Sequence, residues 1–420
     1  MRSFYYLSLP VSTDIPRLEW LLREYRLIVN ESIRIAESQG IRSRARLSAA
    51  AYSELSMRHD VLRQYIPSAL GVALGALKSH RRRLKDKRPS VPYMKRLMLR
   101  IVNQGYRLDR MTGRIRVSVR PREHVHLDLP VSAWHRRFLS DPSWSLGSLT
   151  IVPGKVIIVM RKEAPTTYTP SAALALDTNE DSLDGVVAAE DRAHLLTAHL
   201  GGIRQVQETH FRRRRRLTRK KSNDRRLTRV LNGREGRRER NRVLQRLHRV
   251  TKAIAQAACQ RQAAIVLEDL TLHGAGGHSR KLNRRLASWP RREIHRQIEY
   301  KAALLGVPVI KVNPKYTSKT CPACGARRRE RAGKVFECPC GWRLDRQLNA
   351  GLNILKSALA SDEALARAVR FQPGALRKDV VIPLYDLLAP PAGAREEPSG
   401  VESGSGEVET IDFIDLAENP

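Results

Sequence analysis

The sequence predicts a multidomain chain of mixed α/β and α+β character, with a helix- and strand-rich first part and a second part built on a buried sheet. Three observations predict it. Apolar residues recur at helical spacing from about residue 14 to 90, then alternate or run together between turn residues from about 98 to 161. Two apolar runs, Ala173 to Leu176 and AAIVLEDLTL from Ala263, each carry an acid at or near their end. Four of the five cysteines fall within the twenty residues Cys321 to Cys340.

The cysteine stretch organises the rest. It reads YTSKTCPACGARRRERAGKVFECPCGWRLDRQLNAGLNIL from Tyr316 to Leu355. Cys321 and Cys324 form a C-x-x-C pair followed by Gly325, and Cys338 and Cys340 a tighter C-x-C pair followed by Gly341. Two tight thiolate pairs suit one tetrahedral Zn²⁺ ion. The glycines permit the sharp turn that lets both sulfurs of a pair face the metal. So short a polar unit has almost no core of its own, so its folding is expected to depend on the metal. After it, Asp345 stands where an N-cap would, and Leu348, Leu352 and Leu355 follow at helical spacing.

Charge points to the partner class. The 420 residues carry 77 Lys and Arg against 42 Asp and Glu, a formal net charge of +35. Such an excess adds self-repulsion and does not serve folding, but it attracts polyanions. Arg greatly outnumbers Lys, and its planar fork suits bidentate phosphate contacts. Nucleic acid, bound with salt-sensitive affinity, is the expected partner. The isolated Cys259 leaves no disulfide framework, which fits a reducing cytoplasm. The start MRSFYYLSLPVSTD has no apolar stretch of signal-peptide length, and no run approaches the roughly twenty apolar residues that span a bilayer. A membrane partner is not expected.

In chain order, residues 3 to 9 read as a strand. Helical patterns follow over Ile15 to Ile35, Leu47 to Leu62 and Tyr65 to Leu84, the last running into the basic SHRRRLKDKR. The strand signals that follow suggest a small antiparallel barrel or sandwich with those helices inserted after its first strand. In RIRVSVR the alternation puts a basic row on one face. APTTYTPS, 164 to 171, is a linker by composition. Short strands are expected at Ala173 to Leu176, Gly185 to Ala189 and His194 to Leu200, with a turn-rich TNEDS between the first two. Phe211 to Lys252 reads as a long basic helical hairpin interrupted near Asn232-Gly233, with Arg212, Arg213, Arg214, Arg215, Arg216, Arg219, Lys220 and Lys221 as phosphate-gripping candidates. A Gly- and Ser-containing loop after Leu272, an amphipathic helix from Arg292 and the strand VPVIKVNP lead into the cysteine stretch. From Gly393 to Pro420 the composition is Gly-, Ser-, Pro- and acid-rich, and disorder is expected.

Asp177 and Glu268 both sit where apolar strands close. A carboxylate there is costly unless it binds something. Strand, acid, tight turn and returning strand is the opening of an RNase H-like sheet, in which such strands lie side by side and bring their acids to one edge. With a third acid they would hold two divalent ions for phosphodiester hydrolysis, and oxygen ligands select Mg²⁺ or Mn²⁺.

The order ALDTNE, VLEDL, WPRREIHRQIEYKAALLGVPVIKVNPKYTSKTCPACG, FECPCG and LDRQLNAGLNIL resembles TnpB, the transposon-encoded OrfB long described as a probable transposase and similar to type V CRISPR effectors. The resemblance covers about Leu174 to Leu355. It implies a RuvC-like nuclease domain over 172–360, with a basic helical hairpin at 204–262 and an inserted zinc ribbon at 316–342. Before it, 1–165 would be a wedge barrel with an inserted helical recognition bundle, and 361–420 a C-terminal extension. The implied activity is RNA-guided DNA endonuclease. Its implied partners are a guide RNA from the transposon end and target double-stranded DNA, in the nucleoid of a prokaryotic cell, and a separate transposase encoded nearby. Asp177 matches the first nuclease acid, Glu268 the second, and the four cysteines the ribbon ligands. The family pattern D-R-D-x-N-A-A reads Asp345-Arg346-Gln347-Leu348-Asn349-Ala350-Gly351 here, so Gln347 occupies the position of the third acid. Its amide oxygen can meet a metal but brings no charge. Asp345, two residues earlier, is the alternative third ligand. Asp177-Thr178-Asn179 also replaces the frequent D-L-G while keeping the acid.

Two further readings stand beside the nuclease. One is a guided DNA-binding protein that does not cut, which Gln347 would explain. The other is a strand-moving transposase, for which the sequence offers no His-hydrophobe-His plus Tyr constellation.

Overall fold

The computed structural model describes residues 4–83, 91–221, 223–269, 279–328 and 333–388. The chain divides into two compact units, one ending at Glu163 and the other beginning at Ala164.

The first unit opens with β1 (Phe4–Ser12), followed by α1 (Glu19–Ser38), α2 (Arg44–Arg58) and α3 (Tyr65–Arg83). Leu21, Leu22, Tyr25, Ile28, Val29 and Ile33 form the buried stripe of α1, spaced as a helix requires. Ser43 caps α2 by accepting from the Arg46 amide. The strands β2 (Leu99–Ile101), β3 (Tyr106–Leu108), β4 (Arg114–Arg120) and β5 (Glu123–Asp128) come next, then α4 (Ala133–Leu139), β6 (Trp144–Val152) and β7 (Lys155–Glu163). They make a four-stranded sheet in the order β1-β7-β6-β2 and a three-stranded sheet β3-β4-β5. In β4, Ile115, Val117 and Val119 are fully buried while Arg114 faces solvent and Arg116 and Arg120 are half-exposed, so the alternating basic row is real. The α4 helix has no counterpart in the sequence reading, because the seven residues AWHRRFL, about two turns between strands, carry little periodicity. The basic continuation of α3 at 84–90 lies outside the described residues.

The second unit is a six-stranded sheet in the order β12-β11-β8-β9-β10-β15. Its strands are β8 (Ala172–Thr178), β9 (Ser182–Ala189), β10 (Arg192–His199), β11 (Ala263–Glu268), β12 (Val309–Val312) and, past two short strands, β15 (Val381–Pro383). Between β10 and β11 run α5 (Ile203–Lys220) and α6 (Arg225–Gln260), and between β11 and β12 run α7 (Arg280–Ser288) and α8 (Arg291–Leu304). After β12 come β13 (Val335–Glu337), β14 (Arg343–Asp345), α9 (Arg346–Ser361) and α10 (Glu363–Ala368). β8, β11 and β12 are parallel, and β9 runs antiparallel between β8 and β10.

Both faces of this sheet are covered, which is why β8 and β11 read as unbroken apolar runs. Leu174, Leu176, Ile265 and Leu267 pack on α6 and α8. Ala173, Ala175, Ala264 and Val266 pack on α9 and the cysteine stretch. Side chains alternate between these faces, so each position in β8 and β11 has an assigned side.

One sequence expectation needs correction. The basic hairpin does not break at Asn232-Gly233. Helix α6 runs through it for 36 residues; the two helices instead separate between Lys220 and Arg225, where Asp224 caps α6 by accepting from the Leu227 amide. Gly233 meets nothing within 4 Å of a built Cβ, so it lies on an open face where it costs the helix only about 1 kcal/mol. In the C-terminal extension, β15 adds in parallel to the edge strand β10. The disorder expected from 393 lies outside the described residues, as does the loop 270–278.

Candidate active site and metal centre

The carboxyl ends of β8 and β11 meet in register. Leu267 lies opposite Leu176, so the next residues, Glu268 and Asp177, emerge side by side. By strand alternation both face α9. Glu268 is 6 % exposed and accepts a 2.6 Å bond from the Thr317 hydroxyl. Burial raises its carboxyl above the ordinary value, and the Thr317 bond partly offsets this. Asp177 is pushed from 3.8 to about 7, first by burial and then by the charges of Glu268 and Asp184.

Asp184 is the residue that sequence reading missed. It lies on β9 directly opposite Asp177 and is 6 % exposed. The Asn179 amide donates to Asp177 at 3.2 Å and to Asp184 at 3.1 Å. Asp184 also accepts from Ser182 at 2.5 Å and from Thr197 at 2.6 Å. The sequence places TNEDS in a turn and starts the next strand at Gly185, whereas β9 starts at Ser182. Asp184 follows the turn-rich TNEDS and precedes the apolar run, so it lacks the strand-closing position that picked out Asp177.

The two candidates for the third acid are both at the start of α9. Asp345 caps that helix, accepting from the Gln347 amide at 2.7 Å and the Leu348 amide at 3.4 Å. Gln347 is half-buried in the first turn. Helix α9 is held close to the sheet. A Cβ on Gly351 would sit 2.4 Å from the Gly185 Cα, so only glycine permits this approach. Two buried amides fasten α9 to the cysteine stretch. Asn353 donates to the Thr317 and Thr320 carbonyls at 2.8 and 2.7 Å, and Asn349 donates to Thr320 at 3.0 Å while accepting from the Trp342 indole at 3.1 Å. Thr317 therefore joins Glu268 to α9.

Cys321, Cys324, Cys338 and Cys340 come together, with their sulfurs all within 4.8 Å of one another. The closest pairs are Cys321 with Cys340 at 3.6 Å and Cys324 with Cys338 at 3.5 Å. Zinc–sulfur bonds of about 2.3 Å in a tetrahedron give sulfur separations of about 3.8 Å, so the donor set fits zinc despite the tighter second pair. Gly325 and Gly341 have φ of 76° and 84°, the left-handed conformation the turns demand.

The basic run lies on α5 and just beyond it. Arg213, Arg215, Arg216, Arg219, Lys220 and Lys221 are exposed, whereas Arg214 is half-buried against Glu239 on α6. Arg212 pairs with Glu208 at 3.2 Å. Part of the run therefore holds the hairpin together and the rest faces outward.

The family model of the Cas12f1-like TNB domain matches residues 292–354, from α8 through the four cysteines into α9. A TnpB-like protein of Methanocaldococcus jannaschii is 26% identical over 254 residues, covering 58% of this chain and 91% of that protein. The CRISPR-associated endodeoxyribonuclease Cas12f1 of Sulfoacidibacillus thermotolerans is 33% identical over 112 residues, 26% of this chain and 25% of that protein. The chain is a TnpB family member related to type V effectors. Among solved structures, a Cas12f1-sgRNA-target DNA complex contains a chain that superposes with a TM-score of 0.54 at 14% identity, covering 81% of this chain and 83% of that one. At that identity the likeness speaks for the fold. In this TnpB-family chain the matched segment contains the cysteine cluster and the start of α9, while Asp177, Asp184 and Glu268 precede it. Among the described residues no helix is long and apolar enough to cross a membrane.

Proposed function

We propose that this chain is an RNA-guided DNA endonuclease whose RuvC-type site hydrolyses target DNA with Mg²⁺ or Mn²⁺. The observation that carries the reading is the placement of Asp177 and Glu268 on adjacent parallel strand ends, facing the same side with Asp184 beside them. Three carboxylates so close repel one another, and burial first, then the charges of Glu268 and Asp184, hold Asp177 partly protonated. A divalent cation relieves that repulsion, so the donor set fits one. Asp177 and Glu268 are the residues that would hold it, with Asp345 or Gln347 approaching from α9. When bound, such ions activate water and stabilise the leaving oxygen. Thr317 orients Glu268, and Asn179 orients Asp177 against Asp184. The zinc ribbon, read from the four cysteines, braces α9 so that its first turn stays beside the two strand ends.

The first unit serves as the wedge and recognition part in this reading, and the outward arginines of α5 hold phosphates. The guide RNA would come from the transposon end, with base pairing reading the target while protein reads backbone and shape. A second reading is a guided DNA-binding protein that does not cut. Gln347 favours it, because it supplies no charge where the family pattern has an acid.

The test is cleavage. The protein is co-expressed with its flanking genomic RNA, purified as a complex and given a plasmid target library in Mg²⁺. Cutting that is lost in Glu268→Ala supports the enzyme. Target binding without cutting, with activity appearing in Gln347→Asp, supports the binder. Neither binding nor cutting overturns both.

A further inference from the structure

The sheet edge that presents Asp177 and Glu268 has a second side. Strand alternation sends Thr178 and Asp269 to the face of α8, opposite the carboxylates. The contacts agree: Thr178 meets the α8 residue His295, with Oγ1 2.8 Å from Nε2, both side chains buried. Next to this contact is a cavity of about 170 Å³ lined by Asp269, Arg291, Arg292, His295, Arg296 and Lys311, with Glu299 at its end. The α8 residues recur at three- and four-residue spacings, so they share one helix face.

Four cationic side chains line this cavity against two carboxylates, Asp269 and Glu299, so its charges are unbalanced towards positive. Lys311 is matched by Glu299 at 2.7 Å, and Arg296 by Glu293 at 2.7 Å. Arg291 and Arg292 have no carboxylate partner among the described residues, and they are adjacent at the N-terminal end of α8, where the helix dipole disfavours cations. Burial and Arg292 together lower the Arg291 pKa, so its charge is opposed by its surroundings. Arg291 is also held in place, its guanidinium 5.0 Å from the Trp289 ring centroid, while the Trp289 indole donates to the Asn179 carbonyl at 3.1 Å. Asn179 is the residue that orients Asp177. The pocket and the carboxylates are thus built on the same turn.

We propose that this pocket binds a phosphate of the cleaved DNA strand next to the scissile one, with Arg291 and Arg292 as its ligands and His295 as its floor. The proposal rests on the nuclease reading for the identity of the strand. A strand crossing the sheet edge would place one phosphate on the α9 side, at Asp177 and Glu268, and the neighbouring one on the α8 side. His295 has a lowered pKa, chiefly through burial, and so is neutral at pH 7. A neutral imidazole bonded to Thr178 can still donate from its other ring nitrogen.

The test uses the guide-loaded protein and oligonucleotide targets with a single uncharged methylphosphonate moved along the cleaved strand. In the wild type, one position beside the cut is expected to lose about tenfold in kcat/KM, as for one charge-assisted contact. In Arg291→Ala/Arg292→Ala that same position is expected to make no further difference, because the partner is gone. An undiminished methylphosphonate effect in the double variant overturns the proposal. A second arm needs no cleavage. The His295 side-chain NMR signals are followed while inorganic phosphate is added to the protein alone. A saturable shift in the wild type that is absent in the double variant supports the subsite, and no shift in the wild type overturns it. If phosphate shifts His295 but guide-loaded protein cuts nothing, the nuclease reading fails while the anion site stands.

Discussion

Asp177 and Asp184 face each other across the β8–β9 pair, and one side-chain amide, that of Asn179, donates to both. Like charges directly opposite on neighbouring strands are unfavourable. Here Glu268 adds a third from the other side. Stability is given up at this sheet edge, and what would recover it is a cation.

A pH dependence follows. The Asp177 carboxyl is raised from 3.8 to about 7 in the metal-free fold. Its contribution to stability is fully present below about pH 4 and is lost as pH rises from about 4 to 7. Metal-free Asp177→Asn should therefore gain Tm over the wild type at pH 8 and show little difference at pH 4. Asp184→Asn should give a smaller gain in the same direction. Added Mg²⁺ should raise the wild-type Tm at pH 8 and close the gap to Asp177→Asn. A Tm difference that is flat from pH 4 to 8 would show that Asp177 is not held among like charges.

The cysteine cluster should bind about one zinc per chain, measurable by elemental analysis of the purified protein. Cys321, Phe336, Cys338, Trp342 and Leu344 belong to the same core as the buried face of α9. Loss of the metal should therefore loosen α9 as well as the cysteine stretch. Cys338→Ser should lose zinc and give faster amide exchange in α9, with the strands β8 and β11 less affected. Full zinc-free protection of α9 would show that the cysteine cluster does not brace it.

Substitutions at Asp345 separate its two roles. As a cap it can be replaced by Asn at little cost, whereas Ala should cost about 1 kcal/mol. Asp345→Asn that keeps both Tm and cleavage would make it a cap alone. Asp345→Asn that keeps Tm but loses cleavage would make its charge part of the site. Gln347→Asp should raise cleavage or tighten Mg²⁺ dependence if that position faces the ions.

How much of this was legible depends on what kind of signal each residue leaves. The buried runs before Asp177 and Glu268, and the cysteine spacing, are signals contained within a few residues; the runs are adjacent parallel strands and the four sulfurs lie together. The N-cap role of Asp345 was also readable, because capping is local. Asp184 was not, since its importance lies in its partner across the strand and its own neighbours resemble a turn. The continuity of α6 through Asn232-Gly233 was hidden for a similar reason. Local propensity argues for a break there, and packing of Val243, Leu247 and Ile254 against the sheet further along the helix decides otherwise. The β15 strand is three residues long and pairs with a strand far back in the chain, which no local pattern encodes.

The close approach of α9 to the sheet sets the last expectation. Gly185 has no room for a side chain, since a Cβ would lie 1.8 Å from the Ala175 carbonyl oxygen. Gly351 faces it from α9, where a Cβ would lie 2.4 Å from the Gly185 Cα and 3.1 Å from the Asp184 carbonyl oxygen. Every atom in the way is backbone, so neither glycine can be replaced by rotating a neighbour aside. Gly351→Ala should cost about 1–3 kcal/mol, as overpacking does, by lifting α9 off β9. Because Asp345 and Gln347 start that same helix, the lift also moves them away from Asp177 and Glu268. Cleavage by Gly351→Ala should therefore fall further than its loss of folded protein explains, while RNA binding stays as in the wild type. Thermal unfolding, an RNA filter-binding assay and single-turnover cleavage on one preparation decide it. Unchanged cleavage per folded molecule would show that the distance from α9 to the strand ends does not matter to the chemistry.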